Sequence, residues 1–166
     1  MHLRAEKGFQ PFLRDPAAWL APFLTAQWAA HAALHAAAPG GHPSRVRLIA
    51  GLRRDCLAAG GQLLALPVPA MPLDPLAADY LIFGGRKGVA VMRRLLQRDP
   101  GANVPPHFRD DAAFERAWQE TLRRLDAIDA GSARARAIVL DVETGFSLFE
   151  QAALACMIPA TARTIS

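Results

Sequence analysis

Residues 80–92 read Tyr80-Leu-Ile-Phe-Gly-Gly-Arg-Lys-Gly-Val-Ala-Val-Met92, a segment that is apolar at both ends and carries three glycines in its middle. Helix signals flank it, with Asp74-Pro75 upstream and Arg93-Arg94-Leu95-Leu96 downstream. A glycine inside a helix costs about 1 kcal/mol relative to alanine, so three of them need a physical reason. Either another helix packs very close to this segment, or a flat ligand lies directly against its bare backbone.

The remaining sequence predicts helices almost everywhere. The chain has 166 residues, of which 52% are hydrophobic, and alanine, leucine and arginine dominate over residues that favour strands. Start and stop signals predict helices over residues 16–38, 44–60, 74–97 and 110–130, and a last one from residue 132. Residues 62–73 should form an extended connector, and a short segment over 2–9 should end before Pro11. We therefore expect one all-α domain, a multi-helix bundle over residues 1–166 with a frayed tail over 158–166.

The charge pattern restricts the choice of partners. The formal net charge is +4, and lysine occurs only at Lys7 and Lys87, so arginine carries almost all of the positive charge. These arginines form either an ordinary solvated surface or an attraction for anions, such as ligand carboxylates or an acidic redox partner. No basic stripe alternates with aromatic residues, and no zinc-finger or RNA-binding signature occurs, so we do not expect binding to nucleic acid.

Cysteine usage and hydropathy favour a cytoplasmic protein. Cys56 and Cys156 do not form a Cys-x-x-Cys pair, and we expect both to be buried free thiols in a reducing compartment. No secretory signal is visible. Residues 16–44 carry no Asp, Glu, Lys or Arg, but they contain Pro22, Gln27 and three histidines. We therefore expect a buried core helix there instead of a membrane span.

The glycine segment resembles the distal helix of the haem oxygenase family, particularly that of the short bacterial forms associated with bacteriophytochromes. In those forms the helix commonly reads Tyr-Val-Leu-Glu-Gly-Ser-x-x-Gly, and Tyr80-Leu-Ile-Phe-Gly84-Gly-Arg-Lys-Gly88 fits that frame. Trp118 and Phe146-x-x-Phe149 also fit the closing helices of the family, and the resemblance covers residues 2–155. It implies a haem-oxygenase-like fold and the oxidative cleavage of haem to biliverdin, carbon monoxide and iron.

The resemblance also implies which residues surround the haem. The distal side would be formed by Gly84, Gly85 and Gly88, where the backbone passes so close to iron-bound oxygen that no side chain fits. These glycines would also let the helix kink. Arg86 and Lys87 would contact the haem propionates, because cations at a pocket rim attract carboxylates.

The iron ligand and the electron source follow from the same resemblance. His2 precedes the segment Trp19-Leu-Ala-Pro-Phe23-Leu24 as the proximal histidine of the family precedes a similar segment, so it would hold the iron. Tyr80 would hydrogen-bond a propionate or else tuck its ring into the core. Haem would be both substrate and cofactor, and electrons would come from a separate reductase or ferredoxin.

Two positions depart from the family pattern. Phe83 stands where bacterial relatives commonly have an acid, and only Met1 precedes His2 where the family has a helical stretch. A fold can persist without its reaction. The alternative to the enzyme is therefore a non-catalytic relative that binds haem or another tetrapyrrole, or that serves as a protein-interaction module. A third reading is a plain helical scaffold with close packing at the glycines.

Other features suggest weaker chemistry. Gly-Gly-Arg-Lys-Gly is an incomplete phosphate-binding loop, because no Ser or Thr follows the lysine. His31 and His35, four residues apart, would suit a metal, but no third ligand is apparent, and solvated or core-edge histidines are favoured. Asp79 would join a water network on the distal side of a haem. His42 and His107 lie beside prolines in predicted loops and suggest no role.

Overall fold

A computed structural model describes residues 8–98 and 103–157, and within those ranges all regular structure is helical. The helices, in chain order, are α1 (Gln10–Arg14), α2 (Pro16–Ala37), α3 (Ser44–Ala58), α4 (Pro75–Gly84), α5 (Val89–Leu96), α6 (Ala112–Asp126) and α7 (Ala133–Cys156). A 3₁₀ turn over Gly85–Gly88 joins α4 to α5, and a second over Pro106–Phe108 precedes α6. The all-α prediction is therefore confirmed.

The predicted helix starts are capped as their sequences indicate. The Asp15 carboxylate accepts a hydrogen bond from the Ala18 amide at 3.1 Å at the start of α2. Asp74, Asp111 and Ser132 cap α4, α6 and α7 in the same way. Each cap satisfies an amide that has no partner inside its own helix, which is why such short signals fix where a helix begins.

Two boundary predictions were wrong. The helix expected over residues 74–97 is two helices, because the chain tightens into the 3₁₀ turn at Gly85–Gly88, where glycine weakens the α-helical preference. Pro11 lies in the first turn of α1 and does not end a helix there, since proline lacks only an amide that the first turn leaves unpaired. Residues 2–7 of the short segment and the predicted tail over 158–166 lie outside the described residues.

One continuous core draws on every helix from α1 to α7. The Phe12 and Phe23 rings stack at 4.2 Å between α1 and α2, and α2 also packs along α7. A Cβ atom at Gly145 of α7 would overlap Leu81 of α4 and lie 3.0 Å from Leu34 of α2. Glycine at this position therefore allows three helices to meet closely.

The uncharged sequence around α2 forms part of this core. Ten residues of α2 are buried, including Phe23, Leu24 and Leu34. None of the helices in the described ranges is both long enough and apolar enough to cross a membrane. Both cysteines are free; Cys56 is buried as predicted, whereas Cys156 is only half-buried.

A buried ion pair joins the ends of three helices. Arg45 of α3 and Asp79 of α4 are both 0% exposed, and Arg45 Nε donates to Asp79 Oδ1 at 2.6 Å. The same guanidinium donates to the carbonyl of Ala38 at the end of α2 at 2.8 Å, and to the carbonyl of Pro75. Asp79 therefore does not join the water network that the family resemblance suggested, because both of its oxygens are used inside the fold.

We expect removal of either partner of this pair to destabilise the protein by about 3–5 kcal/mol, because the remaining charge stays buried without its close partner; Asp79 would keep only the more distant contact with Arg124, at 3.9 Å, among the ion pairs of the described residues. The variants are Arg45→Met and Asp79→Asn, and chemical denaturation measures the free energy of unfolding. The double variant Arg45→Met/Asp79→Asn should lose less stability than the sum of the losses of the two single variants. The matched control is Glu115→Gln, which breaks an exposed pair with Lys87 and should leave the free energy of unfolding nearly unchanged. Equal losses for Asp79→Asn and Glu115→Gln would contradict the role of the buried pair.

Candidate functional site

A cleft of about 360 Å³ lies between the Gly85–Gly88 turn and the start of α6. Its walls combine three aromatic rings with charges of both signs. The rings belong to Phe83, Phe114 and Trp118, the cations are Arg86 and Lys87, and the acids are Asp110, Asp111 and Glu115. Aromatic faces and cations together suit a flat ligand that carries negative groups. The predicted site residues Arg86 and Lys87 are thus brought together in one concave surface.

Lys87 is held by a contact that a ligand can replace. Its ammonium lies 2.9 Å and 2.7 Å from the two carboxylate oxygens of Glu115, and 5.9 Å from the centre of the Trp118 ring. The Lys87 hydrogen bond, with a second one from Gln119, lowers the pKa of Glu115 below its usual value. Both side chains are about half exposed, and such surface pairs contribute little stability. A carboxylate on a ligand would therefore meet a cation that gives up little by leaving Glu115.

Arg86 faces into the protein and connects two turns. Its guanidinium donates to the His107 carbonyl and, at 2.7 Å, to the Arg109 carbonyl, and it lies 5.3 Å from the centre of the Phe114 ring. Burial lowers the pKa of Arg86, and the nearby Asp111 carboxylate opposes that effect. Because these carbonyls already use its donors, Arg86 holds the glycine turn against the Pro106–Phe108 turn, and Lys87 is the more available of the two predicted cations.

Arg47 of α3 is a further cation that sequence reasoning missed; it does not line the cleft but contacts two residues that do, Phe114 and Asp111. Its guanidinium lies 4.5 Å from the centre of the Phe114 ring and donates to Asp111 at 2.7 Å. This contact spans 64 residues of sequence, so no local pattern indicates it. Phe114 thus carries two guanidinium groups, from Arg47 and Arg86, near its ring.

The three glycines have different surroundings. A Cβ atom at Gly84 would lie 3.1 Å and 3.3 Å from two ring atoms of Trp118, so close packing against α6 explains this residue. A Cβ atom at Gly85 would have no neighbour within 4 Å, and one at Gly88 would meet only the Met92 Cε atom, at 3.9 Å. Their φ angles are −56° and −76°, which any residue adopts. The described fold therefore gives no reason for glycine at 85 and 88.

The other predicted residues are placed as follows. Tyr80 is 37% exposed, and its ring centre lies 5.5 Å from that of Trp118 at the edge of the cleft. Phe83 is fully buried, with its ring centre 5.4 Å from that of His42 and 6.5 Å from that of Phe114. His2, the predicted iron ligand, lies outside the described residues.

Of the two histidines whose pKa values are perturbed, His31 is buried, and His107, in the turn before α6, is half-buried. His31 of α2 is 3% exposed and bonds the Gln27 carbonyl through Nδ1 at 2.7 Å. Its pKa is lowered from 6.5 to about 4, chiefly by burial; the Gln27 bond opposes this shift, and the Arg86 charge adds to it. His35 is exposed on the same helix, so the suggested His31–His35 metal pair does not form. Throughout residues 8–98 and 103–157, no group of three potential metal ligands comes together.

His107 makes contacts with distant residues that its sequence context does not indicate. Its Nδ1 atom lies 3.3 Å from Arg86 Nη1, and its backbone amide donates to the Asp55 carboxylate at 2.6 Å. Burial holds its pKa well below the usual value, and the Arg86 charge acts in the same direction. A histidine between prolines and a phenylalanine reads as a loop residue, and only the fold reveals these partners.

Comparison of this chain with protein-family models, with curated proteins and with solved structures found no match. The resemblance to the haem oxygenases and the roles that it implies therefore remain predictions.

We expect the three glycines to respond differently to substitution. Gly85→Ala and Gly88→Ala should stabilise the protein by up to about 1 kcal/mol, because alanine favours helical conformations and their Cβ positions are open. Gly84→Leu should destabilise it by about 1–3 kcal/mol through overlap with Trp118. Thermal and chemical unfolding of the three variants measures these changes. Destabilisation by Gly85→Ala would mean that the fold itself requires glycine there.

His31 should make folding sensitive to acid. Its folded pKa of about 4 is lower than the usual 6.5, so below pH 6.5 the unfolded chain takes up a proton that the folded chain does not. This uptake removes stability as pH falls from 6.5 to about 4, by about 2 kcal/mol between pH 7 and pH 5. Denaturation of His31→Gln over this range should show a shallower pH dependence, whereas His35→Gln, on the exposed side of the same helix, should match the wild type. An unchanged slope in His31→Gln would refute the assignment.

Proposed function

We propose that this protein binds haem, or another flat tetrapyrrole with carboxylates, at the cleft beside the Gly85–Gly88 turn. One observation carries the proposal: Gly85 and Gly88 weaken a helix at a place where no packing or backbone conformation in the described structure requires them. Residues that oppose the local secondary-structure preference, without a packing or backbone gain in the fold, are typical of functional sites. A 3₁₀ segment within a helical stretch is another frequent mark of such sites.

The cleft beside these glycines has the chemistry that such a ligand needs. Lys87 and Arg86 lie between the two glycines in the same turn, and both line the cleft. The rings of Trp118 and Phe114 offer apolar faces to a macrocycle, and Lys87 offers a cation to one of its carboxylates; Arg47, next to Phe114, adds positive charge outside the lining. The volume is at the lower end of the range for small-molecule sites, so the cleft accommodates part of a macrocycle, and the remainder would stay in solvent.

The proposal is for binding without cleavage. Phe83 fills the place of the acid in bacterial relatives with a buried ring, which offers no proton. The lining of the cleft contains no histidine, and His2 remains the axial ligand that the family resemblance implies. Bound haem would supply an iron centre, and the residues of this chain would position its edge and its carboxylates.

A second candidate function is haem oxygenase activity, which yields biliverdin, carbon monoxide and iron with electrons from a reductase or ferredoxin. The interruption of the helix between α4 and α5 favours it, because the family resemblance implies a kinked distal helix at this position.

Titration with hemin tests the binding proposal. We expect one hemin per chain with a sharp Soret band, and weaker binding of the hemin dimethyl ester, which lacks the free carboxylates. Lys87→Gln should weaken hemin binding by about fivefold, because an exposed charge pair contributes up to about 1 kcal/mol. The ester should bind Lys87→Gln and wild type equally. Arg94→Gln, a change on α5 outside the lining of the cleft, is the matched control and should bind hemin like the wild type.

The outcomes separate the candidate functions. Equal affinities for hemin and its ester would exclude carboxylate recognition, and the absence of a Soret shift would exclude tetrapyrrole binding. A changed Soret band in His2→Ala would support the iron ligand that the resemblance implies. Loss of the Soret band with growth of biliverdin absorbance, on adding ascorbate or a reductase, would identify the oxygenase and overturn the non-catalytic assignment.

A further inference from the structure

A second cavity lies on another part of the surface and is unrelated to the tetrapyrrole proposal. It has a volume of about 310 Å³ and lies between the α1–α2 junction and the end of α5. Its apolar wall is formed by Leu13, Pro16, Leu95 and Leu96. It shares no lining residue with the cleft beside the glycine turn. The two concave surfaces can therefore be tested independently.

Two arginines line this cavity: Arg14, the last residue of α1, and Arg98, just after α5. Within residues 8–98 and 103–157 neither has an acidic partner, whereas Arg47, Arg93 and Arg134 each form an ion pair. The cavity also contains Asp15, but its Oδ1 atom caps α2 by accepting from the Ala18 amide at 3.1 Å. Two guanidinium groups thus lie at the edge of the cavity without an ion pair to a described carboxylate, and the Asp15 carboxylate that also lines it is engaged as the cap of α2.

We propose that this cavity binds a small amphipathic carboxylate, with its apolar body against Leu13, Leu95 and Leu96 and its carboxylate between Arg14 and Arg98. The planar donors of a guanidinium match a carboxylate in paired hydrogen bonds. The leucine side chains remove an apolar chain from water, which an inorganic anion cannot exploit. A volume of about 310 Å³ is at the lower end of the range for small-molecule sites and suits a short amphipathic ligand.

Octanoate is the probe that combines both features, and two comparison ligands separate them. Octan-1-ol keeps the apolar chain without the charge, and inorganic phosphate keeps the charge without the chain. Amide chemical shifts of the wild-type protein, followed by NMR during each titration, should move around Leu13, Ala17 and Leu95 with octanoate. We expect octanoate to bind about tenfold more tightly than octanol, because hydrogen bonds to a charged group are the stronger ones.

Charge-neutral variants locate the carboxylate. Arg14→Gln/Arg98→Gln should reduce octanoate affinity about tenfold and leave octanol binding unchanged, since the apolar wall is intact. Both side chains are exposed, so the fold should not change, and circular dichroism checks this. Arg94→Gln, which lies on α5 beside Leu95 but outside the lining of the cavity, is the control and should bind octanoate like the wild type. Equal octanoate binding by the double variant and the wild type, shifts spread over the whole surface, or phosphate binding as tight as that of octanoate would each overturn the proposal.

Discussion

The buried Arg45–Asp79 contact fixes the geometry on which the candidate site depends. Arg45 reaches the last turn of α2 through the Ala38 carbonyl and the first turn of α4 through the Pro75 carbonyl. Asp79 accepts from the Arg45 side chain and also from the His42 amide at 3.1 Å. A Cβ atom at Gly41 would overlap the guanidinium, so this loop position has room only for glycine. One charged side chain thus sets the relative positions of α2, α3 and α4.

This arrangement accounts for where the glycine turn lies. The start of α4 is held by Arg45, its middle packs against α7 where Gly145 makes room for Leu81, and its end meets Trp118 at Gly84. The chain beyond Gly84 is fastened by Arg86, whose donors reach the carbonyls of the Pro106–Phe108 region. One wall of the cleft is therefore anchored on both sides of the 3₁₀ turn. Such anchoring positions Lys87 without using its charge inside the fold.

Sequence reasoning found the parts of the structure that local chemistry determines. The cap at Asp15 and the stop before Gly40 depend on neighbouring residues, so the limits of α2 could be predicted to within a residue. Arg45 and Asp79 are 34 residues apart, and nothing in the sequence around either one indicates the other. The family resemblance suggests a water network as the surroundings of Asp79, whereas in the structure Asp79 is the buried partner of Arg45.

The residues of the candidate site could be predicted only in part from the sequence, for the same reason. The glycine cluster identified the segment, because an unfavourable residue is visible without knowing its neighbours. The inward direction of Arg86, the position of Arg47 and the partners of His107 all depend on contacts between distant segments. A charged side chain beside glycines can equally face solvent, and helix propensity carries no information about which way a side chain points.

The glycines also show how stability and binding can be separated in this chain. Gly84 belongs to the packing of α4 on α6. The closeness of the Trp118 ring is enough to explain why glycine stands at this position. Gly85 and Gly88 lie one and four residues further, at backbone angles that alanine would adopt with a gain in helix stability. Natural chains rarely sit at their stability optimum, so one such glycine would be unremarkable on its own. Here, however, two such glycines flank Arg86 and Lys87 in the turn that forms one wall of an aromatic cleft. A ligand that binds against this turn explains them better than the packing of the fold does.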